Sequence, residues 1–165
     1  MLKYLYCKEI FNEVPNEITL GISISGCQIR CPACNQRELW EDKGKPLDWG
    51  ALHSLIHIHS GITCLCLFGG EHDIDALCDL FWHAKKYIKT AWYSGLDRIP
   101  KDKIGIMQYL DWVKLGHYDP ELGGLDSPTT NQHLYKIEHQ GDGNWWQTDI
   151  THLFWKNHEA NRNQR

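Results

Sequence analysis

Three cysteines lie within eight residues of one another, at Cys27, Cys31 and Cys34. Thiolates are metal ligands, and three this close in sequence can reach one centre without rearrangement of distant chain. A structural zinc site takes four protein ligands, and no second ligand pair follows at finger spacing. An iron–sulfur cubane normally takes four cysteines, so three leave either a distant fourth or one open iron. The spacing therefore predicts a metal centre, with zinc, an electron-transfer cluster and a cluster with an open iron as alternatives.

The residues on either side of these cysteines alternate between strand and helix patterns. Apolar and small residues alternate along 17–25, which predicts a strand with one apolar face directly before the cysteines. Further strands are predicted at 63–68, 91–93 and 112–115. Helices are predicted from Asp48 to about residue 60 and from Asp73 to residue 88, each with an aspartate at its start.

This alternation predicts an α/β fold with a parallel sheet and too few units for an eight-fold barrel. Ligands of such sheets gather at the carboxyl ends of the strands. The predicted ends carry Cys27, Gly69-Gly70-Glu71, Ser94-Gly95 and Gly116-His117. Candidate chemistry therefore converges on one edge of the sheet.

Composition limits the possible classes of protein. With 165 residues, we expect one domain over 1–155 and a polar, disordered tail over 156–165. The net charge of -4, without long runs of like charge, argues against nucleic acid as a partner. The sequence lacks the pattern of a signal peptide or a membrane span. In a reducing compartment, a tight group among seven cysteines suggests metal binding or catalysis before disulfides. We therefore expect a cytoplasmic protein that does not bind membranes.

The order strand, Cys-x-x-x-Cys-x-x-Cys, strand and Gly-Gly-Glu resembles the radical S-adenosylmethionine superfamily. The resemblance implies a 4Fe-4S cluster on Cys27, Cys31 and Cys34, whose open iron chelates the amino and carboxylate groups of S-adenosylmethionine. It also implies a single-domain partial β/α barrel that is open on one side. Chemistry would occur at the cluster, so none of the ten histidines is assigned as an acid or base.

The same resemblance implies residues that contact S-adenosylmethionine. Gly69, Gly70 and Glu71 correspond to the family segment that contacts the methionyl amino group. Ala33 stands where an aromatic residue often packs near the adenine. The remaining candidates are Tyr93, Ser94, Gly95, Lys114 and Asn131. For Lys114 the alternative is an ordinary solvated lysine, and for Tyr93, Ser94 and Gly95 it is a plain turn after a strand.

Within that superfamily, segments over about residues 1–155 resemble the activating proteins of anaerobic ribonucleotide reductases. The most extensive is Ser127-Pro128-Thr129-Thr130-Asn131-Gln132-His133-Leu134-Tyr135. The resemblance implies cleavage of S-adenosylmethionine and formation of a glycyl radical on the reductase. The partners would be that glycyl-radical subunit and a one-electron donor such as flavodoxin or ferredoxin.

Two other functions stay open on sequence grounds. One is a radical enzyme with another substrate, such as an activase of a different glycyl-radical enzyme. The other is a non-enzymatic zinc or iron–sulfur binding module. The remaining cysteines, Cys7, Cys64, Cys66 and Cys78, are predicted to pack rather than bind metal. The aromatic residues near the C-terminus either anchor a partner or pack back onto the fold.

Overall fold

A computed structural model describes residues 1–155, in which one eight-stranded sheet is combined with two α-helices. The α/β fold class predicted from the sequence is confirmed. The strands are β1 (Lys3–Ile10), β2 (Thr19–Ile24), β3 (Lys45–Pro46), β4 (Cys64–Phe68), β5 (Lys89–Tyr93), β6 (Trp112–Leu115), β7 (His133–His139) and β8 (Trp145–Asp149). The α-helices are α1 (Trp49–Ile58) and α2 (Ile74–Ala84). Short 3-10 helices occupy Arg37–Trp40, Glu71–Asp73, Lys101–Tyr109 and Thr151–Phe154.

The sheet is mixed and runs in the order β3-β1-β2-β4-β5-β6-β7-β8. Its centre consists of β2, β4, β5 and β6, which are parallel to one another, as the sequence predicted. Antiparallel strands extend it on both sides, with β1 on β2 and β7 on β6. In the described part of the chain β3 and β8 are the outermost strands and do not pair with each other, so the sheet is not closed into a barrel.

Both helices begin where the sequence predicted and end earlier. The side chain of Asp48 accepts a hydrogen bond from the backbone N–H of Ala51 at 2.8 Å, which caps α1. The helix ends at Ile58 because His59 leaves the helical region, with φ -95° and ψ 65°. The side chain of Asp73 caps α2 in the same way. This helix ends before residue 88 because the chain must turn to enter β5.

The sheet has a buried core on each face. The prediction of one apolar face for 17–25 is confirmed, but the opposite face of this strand is buried as well. Leu20, Ile22 and Ile24 of β2 point towards the core shared with the two helices. Thr19, on the opposite face of β2, is also fully buried. The second face is covered because Val14, in the connection between β1 and β2, packs over it.

The two cores account for the burial of two cysteines and for the packing of two C-terminal aromatic residues. Cys64 and Cys66 are fully buried in it, in agreement with the predicted packing role. Phe154 packs against the same core and Trp145 against the helix-side core, so these two aromatics pack onto the fold. Trp146 is 49% exposed.

Two further predictions concern the C-terminal tail and membrane-spanning helices. The predicted polar tail over 156–165 lies outside the described residues. Over residues 1–155, none of the helices has the length and apolar character needed to cross a membrane.

Candidate functional site

The predicted site residues follow four neighbouring parallel strands. Ser23, Phe68, Tyr93 and Lys114 are aligned across β2, β4, β5 and β6 near their carboxyl ends. The cysteines follow the first of these strands, Gly-Gly-Glu the second, and Ser-Gly the third. The topology therefore places these segments side by side at the carboxyl ends of the parallel strands, as predicted.

The cysteine loop, residues 25–36, is tied near its start to the chain that follows it and contains an internal turn. The backbone N–H of Cys27 donates to the carbonyl of Leu39 at 2.9 Å, and that of Cys34 donates to the carbonyl of Cys31 at 3.0 Å. Ile29 packs against Gly95, where an added Cβ would lie 2.9 Å from Ile29 Cγ1. Glycine at this position thus permits the close approach of the cysteine loop to the end of β5.

Backbone N–H groups are directed at the sulfur atoms of this loop. The N–H of Tyr118 donates to Cys31 Sγ at 3.3 Å, and the N–H of Gln36 donates to Cys34 Sγ at 3.4 Å. Burial raises the pKa of Cys27, and the N–H groups of the following turn partly oppose this effect. Hydrogen bonds of this kind stabilise thiolates and tune sulfur-ligated metal centres.

The three thiols do not form a closed ligand set. Each cysteine of the loop is half-buried. Among residues 1–155 no group of three or more His, Cys, Asp or Glu side chains is arranged to hold a metal ion. Ala33 is half-buried in the turn between Cys31 and Cys34, with no aromatic ring in its place. Metal binding at this loop would therefore require the thiols to move towards one another.

Glu71 has one carboxylate oxygen held by the protein and one without a partner. Oε1 accepts hydrogen bonds from Ser94 Oγ at 3.0 Å and from the N–H of Gly95 at 2.8 Å. Oε2 is buried and has no hydrogen-bond partner within residues 1–155. The negative charge of Glu71 also contributes to the raised pKa of Cys27, so the two groups are close enough to interact. A buried acceptor without a donor is costly, and a cationic or N–H donor at this point would remove that cost.

The two glycines before Glu71 have a conformation that favours glycine. Gly69 and Gly70 both have positive φ, at 86° and 87°. A Cβ on Gly70 would lie 3.0 Å from Leu77 Cδ2. Gly69 is fixed by its neighbours, because its carbonyl accepts a hydrogen bond from Trp92 Nε1 at 2.9 Å. Gly69 and Gly70 therefore form a tight turn that is held in place by its neighbours, and this turn positions Glu71, the next residue.

Lys114 is buried at the end of β6, so the alternative of an ordinary solvated lysine is wrong. Its Nζ donates to the carbonyl of Gly116 at 2.7 Å. Burial lowers its pKa to about 8, although electrostatic interactions with Cys31 and Glu71 act in the opposite direction. A buried ammonium group within electrostatic range of a cysteine and a carboxylate provides a positive charge for an anionic ligand.

The other residues predicted to contact the ligand differ in how far their polar groups already bond to the protein itself. The hydroxyl of Tyr93 donates to the carbonyl of Glu13, so it is already used by the main chain. Ser94 and Gly95 hold Glu71, which makes them positioning residues for that carboxylate. Asn131 donates from Nδ2 to the carbonyl of His117 at 3.0 Å, and its Oδ1 is buried without a partner within residues 1–155.

Sequence reasoning did not find the contact between Tyr118 and Cys31. It involves a backbone N–H, so the residue type at 118 carries no signal for it. The preceding Gly116, with φ 107°, is the local indication that the chain turns sharply here. Its Cα lies so near Asn131 that an added Cβ would be 2.6 Å from that residue's carbonyl oxygen.

Comparisons with known proteins do not assign a family to this arrangement. The chain matches no protein-family model, and comparison with curated proteins and with solved structures likewise gives no match. A functional assignment therefore depends on the residues and their geometry.

Proposed function

We propose that this protein is a radical S-adenosylmethionine enzyme that activates an anaerobic ribonucleotide reductase by forming a glycyl radical on it. The observation that carries the proposal is Glu71 Oε2, which is buried, has no hydrogen-bond partner within residues 1–155 and lies within electrostatic range of Cys27 in the loop of three cysteines. An acceptor of this kind suits an ammonium group, and the loop suits a sulfur-ligated iron centre. When bound, a reduced 4Fe-4S cluster would supply the electron that cleaves S-adenosylmethionine.

The donor set fits such a cluster in its chemistry. Cys27, Cys31 and Cys34 are thiol ligands, and backbone N–H groups already donate to sulfur atoms of the loop. Cluster binding would draw the three thiols together, and the exposed residues Gln28, Arg30 and Pro32 leave the loop room to close. The Tyr118 N–H would then remain a donor to a ligating sulfur, which favours the charged form of the centre.

The surrounding charges fit the methionyl part of S-adenosylmethionine. Glu71 Oε2 would accept a hydrogen bond from the amino group, while Ser94 and Gly95 keep the carboxylate in place through Oε1. Lys114 would pair with the carboxylate group of the ligand, which would offset the cost of burying its ammonium group. These two residues thus have opposite charges suited to the two ends of an amino acid.

The open sheet supports a macromolecular substrate. We interpret the sheet as the partial β/α barrel of a radical S-adenosylmethionine enzyme, whose unclosed side lies between β3 and β8. A glycine on a partner protein could reach the site from that side, and the docked partner would exclude water from a radical. Flavodoxin or ferredoxin would provide the electron, and the cytoplasm would be the compartment.

The test is anaerobic reconstitution of the full chain with iron and sulfide, reduction with dithionite, and assay of 5′-deoxyadenosine formed from S-adenosylmethionine. Cys31→Ala is expected to lose the cluster absorbance and the product. Cys78→Ala is the matched control, because this half-buried cysteine lies on α2, away from the loop. The control is expected to retain both signals.

Addition of the reductase distinguishes the proposed substrate from the alternatives. A glycyl-radical signal in electron paramagnetic resonance, dependent on both proteins, is expected. Cleavage of S-adenosylmethionine without that signal would favour another substrate. A well-loaded, reduced protein that forms no 5′-deoxyadenosine would refute the proposal and favour a metal-binding module.

A further inference from the structure

Two histidines lie one turn apart on the exposed side of α1. His53 and His57 have an i, i+4 spacing, which places their side chains on the same helix face. Their imidazole rings are stacked, with centroids 6.3 Å apart and an angle of 13° between the ring planes. Both residues are exposed. The helix therefore presents two neighbouring imidazoles to solvent.

The ring nitrogens of this pair are not used by the described part of the fold. Within residues 1–155, no hydrogen bond or ion pair involves the ring nitrogens of His53 or His57. In contrast, His59 contacts Glu9 at 2.8 Å, and His117 contacts Asp97 at 2.7 Å. The ring nitrogens of the pair on α1 thus remain available for a ligand from solution.

Neighbouring aromatic rings restrict His53. The Trp49 ring, one turn earlier on α1, lies 5.2 Å from the imidazole between centroids. The Tyr87 ring meets the same imidazole edge-on at 6.0 Å. These contacts reduce the conformational entropy that His53 would lose on binding a ligand.

We propose that His53 and His57 chelate a divalent first-row transition-metal ion on the outer face of α1. Imidazole nitrogen suits Zn²⁺, Ni²⁺ and Cu²⁺, and metal–nitrogen distances of about 2.0–2.1 Å can be reached by two histidines at i, i+4 spacing. With two protein ligands, water or buffer completes the coordination. The site is independent of the cysteine loop and of the proposed function.

The two histidine ligands also determine which metal ions the site would select. Two neutral nitrogen ligands without a carboxylate oxygen do not suit Ca²⁺ or Mg²⁺, which prefer oxygen. Among the first-row ions, affinity rises from Fe²⁺ through Ni²⁺ to Cu²⁺. Occupation of the site would also link two successive turns of α1 and stabilise the folded chain by mass action.

Nickel is the probe of choice, because free thiols of this chain can reduce Cu²⁺. The full chain, labelled with ¹⁵N, is titrated with substoichiometric Ni²⁺ while histidine side-chain resonances are followed by NMR. We expect paramagnetic broadening of His53 and His57 before other histidines. His53→Gln and His57→Gln are each expected to weaken binding by more than about 10-fold, since each removes one of two direct ligands.

The matched control is His59→Gln, which lies on the same helix end but loses an imidazole already bound to Glu9. It is expected to retain the Ni²⁺ affinity of the wild type. Because the cysteine loop is unchanged in all variants, binding by thiols contributes equally to each. An unchanged dissociation constant in His57→Gln, or broadening confined to residues near the cysteine loop, would overturn the proposal.

Discussion

Replacing Lys114 with methionine removes a buried ammonium group while keeping a long, unbranched side chain. Lys114 is only 9% exposed, and its pKa is lowered from 10.5 to about 8 mainly by burial. Below about pH 8 the lysine is protonated in both the folded and the unfolded chain, so the folded protein bears the full cost of the buried charge. Between about pH 8 and 10.5 the folded protein loses this proton while the unfolded chain retains it. The stability of the wild type, relative to the variant, therefore rises with pH in this window.

The size of this effect follows from the lowered pKa. One pKa unit corresponds to about 1.4 kcal/mol, so the shift represents about 3 kcal/mol between neutral pH and pH 10.5. The hydrogen bond from Lys114 to the Gly116 carbonyl offsets part of the cost, by about 1 kcal/mol. We therefore expect Lys114→Met to be the more stable protein at pH 7 and to lose this advantage as the pH rises.

The assay is urea unfolding of the metal-free wild type and Lys114→Met under reducing, anaerobic conditions, at several values between pH 7 and about 10.5. The difference between the two free energies of unfolding cancels the titration of groups shared by both proteins. Lys136→Met, at an exposed lysine of β7, is the control and is expected to show no such convergence. Parallel stability curves for the wild type and Lys114→Met would refute the assignment of a buried, destabilising charge.

Three further predictions concern stability and ligand binding. Asp48→Ala removes the acceptor for the Ala51 N–H and is expected to lower the free energy of unfolding by about 1 kcal/mol in a urea titration; an unchanged value would contradict its role as the helix cap. Gly70→Ala places a Cβ 3.0 Å from Leu77 Cδ2 at positive φ and is expected to cost about 1–2 kcal/mol by the same method, whereas a stabilised variant would contradict the conformation. Glu71→Gln is expected to weaken S-adenosylmethionine binding about 10- to 150-fold in calorimetry, since a charge-assisted hydrogen bond contributes about 1.5–3 kcal/mol; unchanged affinity would contradict the contact.

The central fold and the edge that carries the candidate site were predictable from local patterns. β6 has the predicted bounds, and the capping aspartates at positions 48 and 73 mark the helix starts. These features depend on side-chain periodicity and on contacts within one turn, which neighbouring residues determine. The position of each candidate segment at a strand end then followed from the rule for parallel sheets.

The early strand β1 and the second buried face of β2 were not predictable in this way. β1 has its place because it pairs with β2, and a local pattern does not identify a partner strand. Thr19 is polar, yet the connection that includes Val14 buries it from the other side. Both features depend on segments that fold back across the sheet.

The sequence by itself determined which chemical groups are available and in which order: three closely spaced thiols, a Gly-Gly-Glu turn, and strands that bring them to one edge. Only the tertiary structure decided whether these groups are buried, which charges they interact with and which hydrogen bonds they make. It buries Lys114 within electrostatic range of Cys31 and Glu71. It also holds one oxygen of Glu71 through Ser94 and Gly95, while the other has no partner among residues 1–155. The physical reason is that burial, charge interaction and hydrogen-bond satisfaction depend on residues distant in sequence, which come together only when the strands pair.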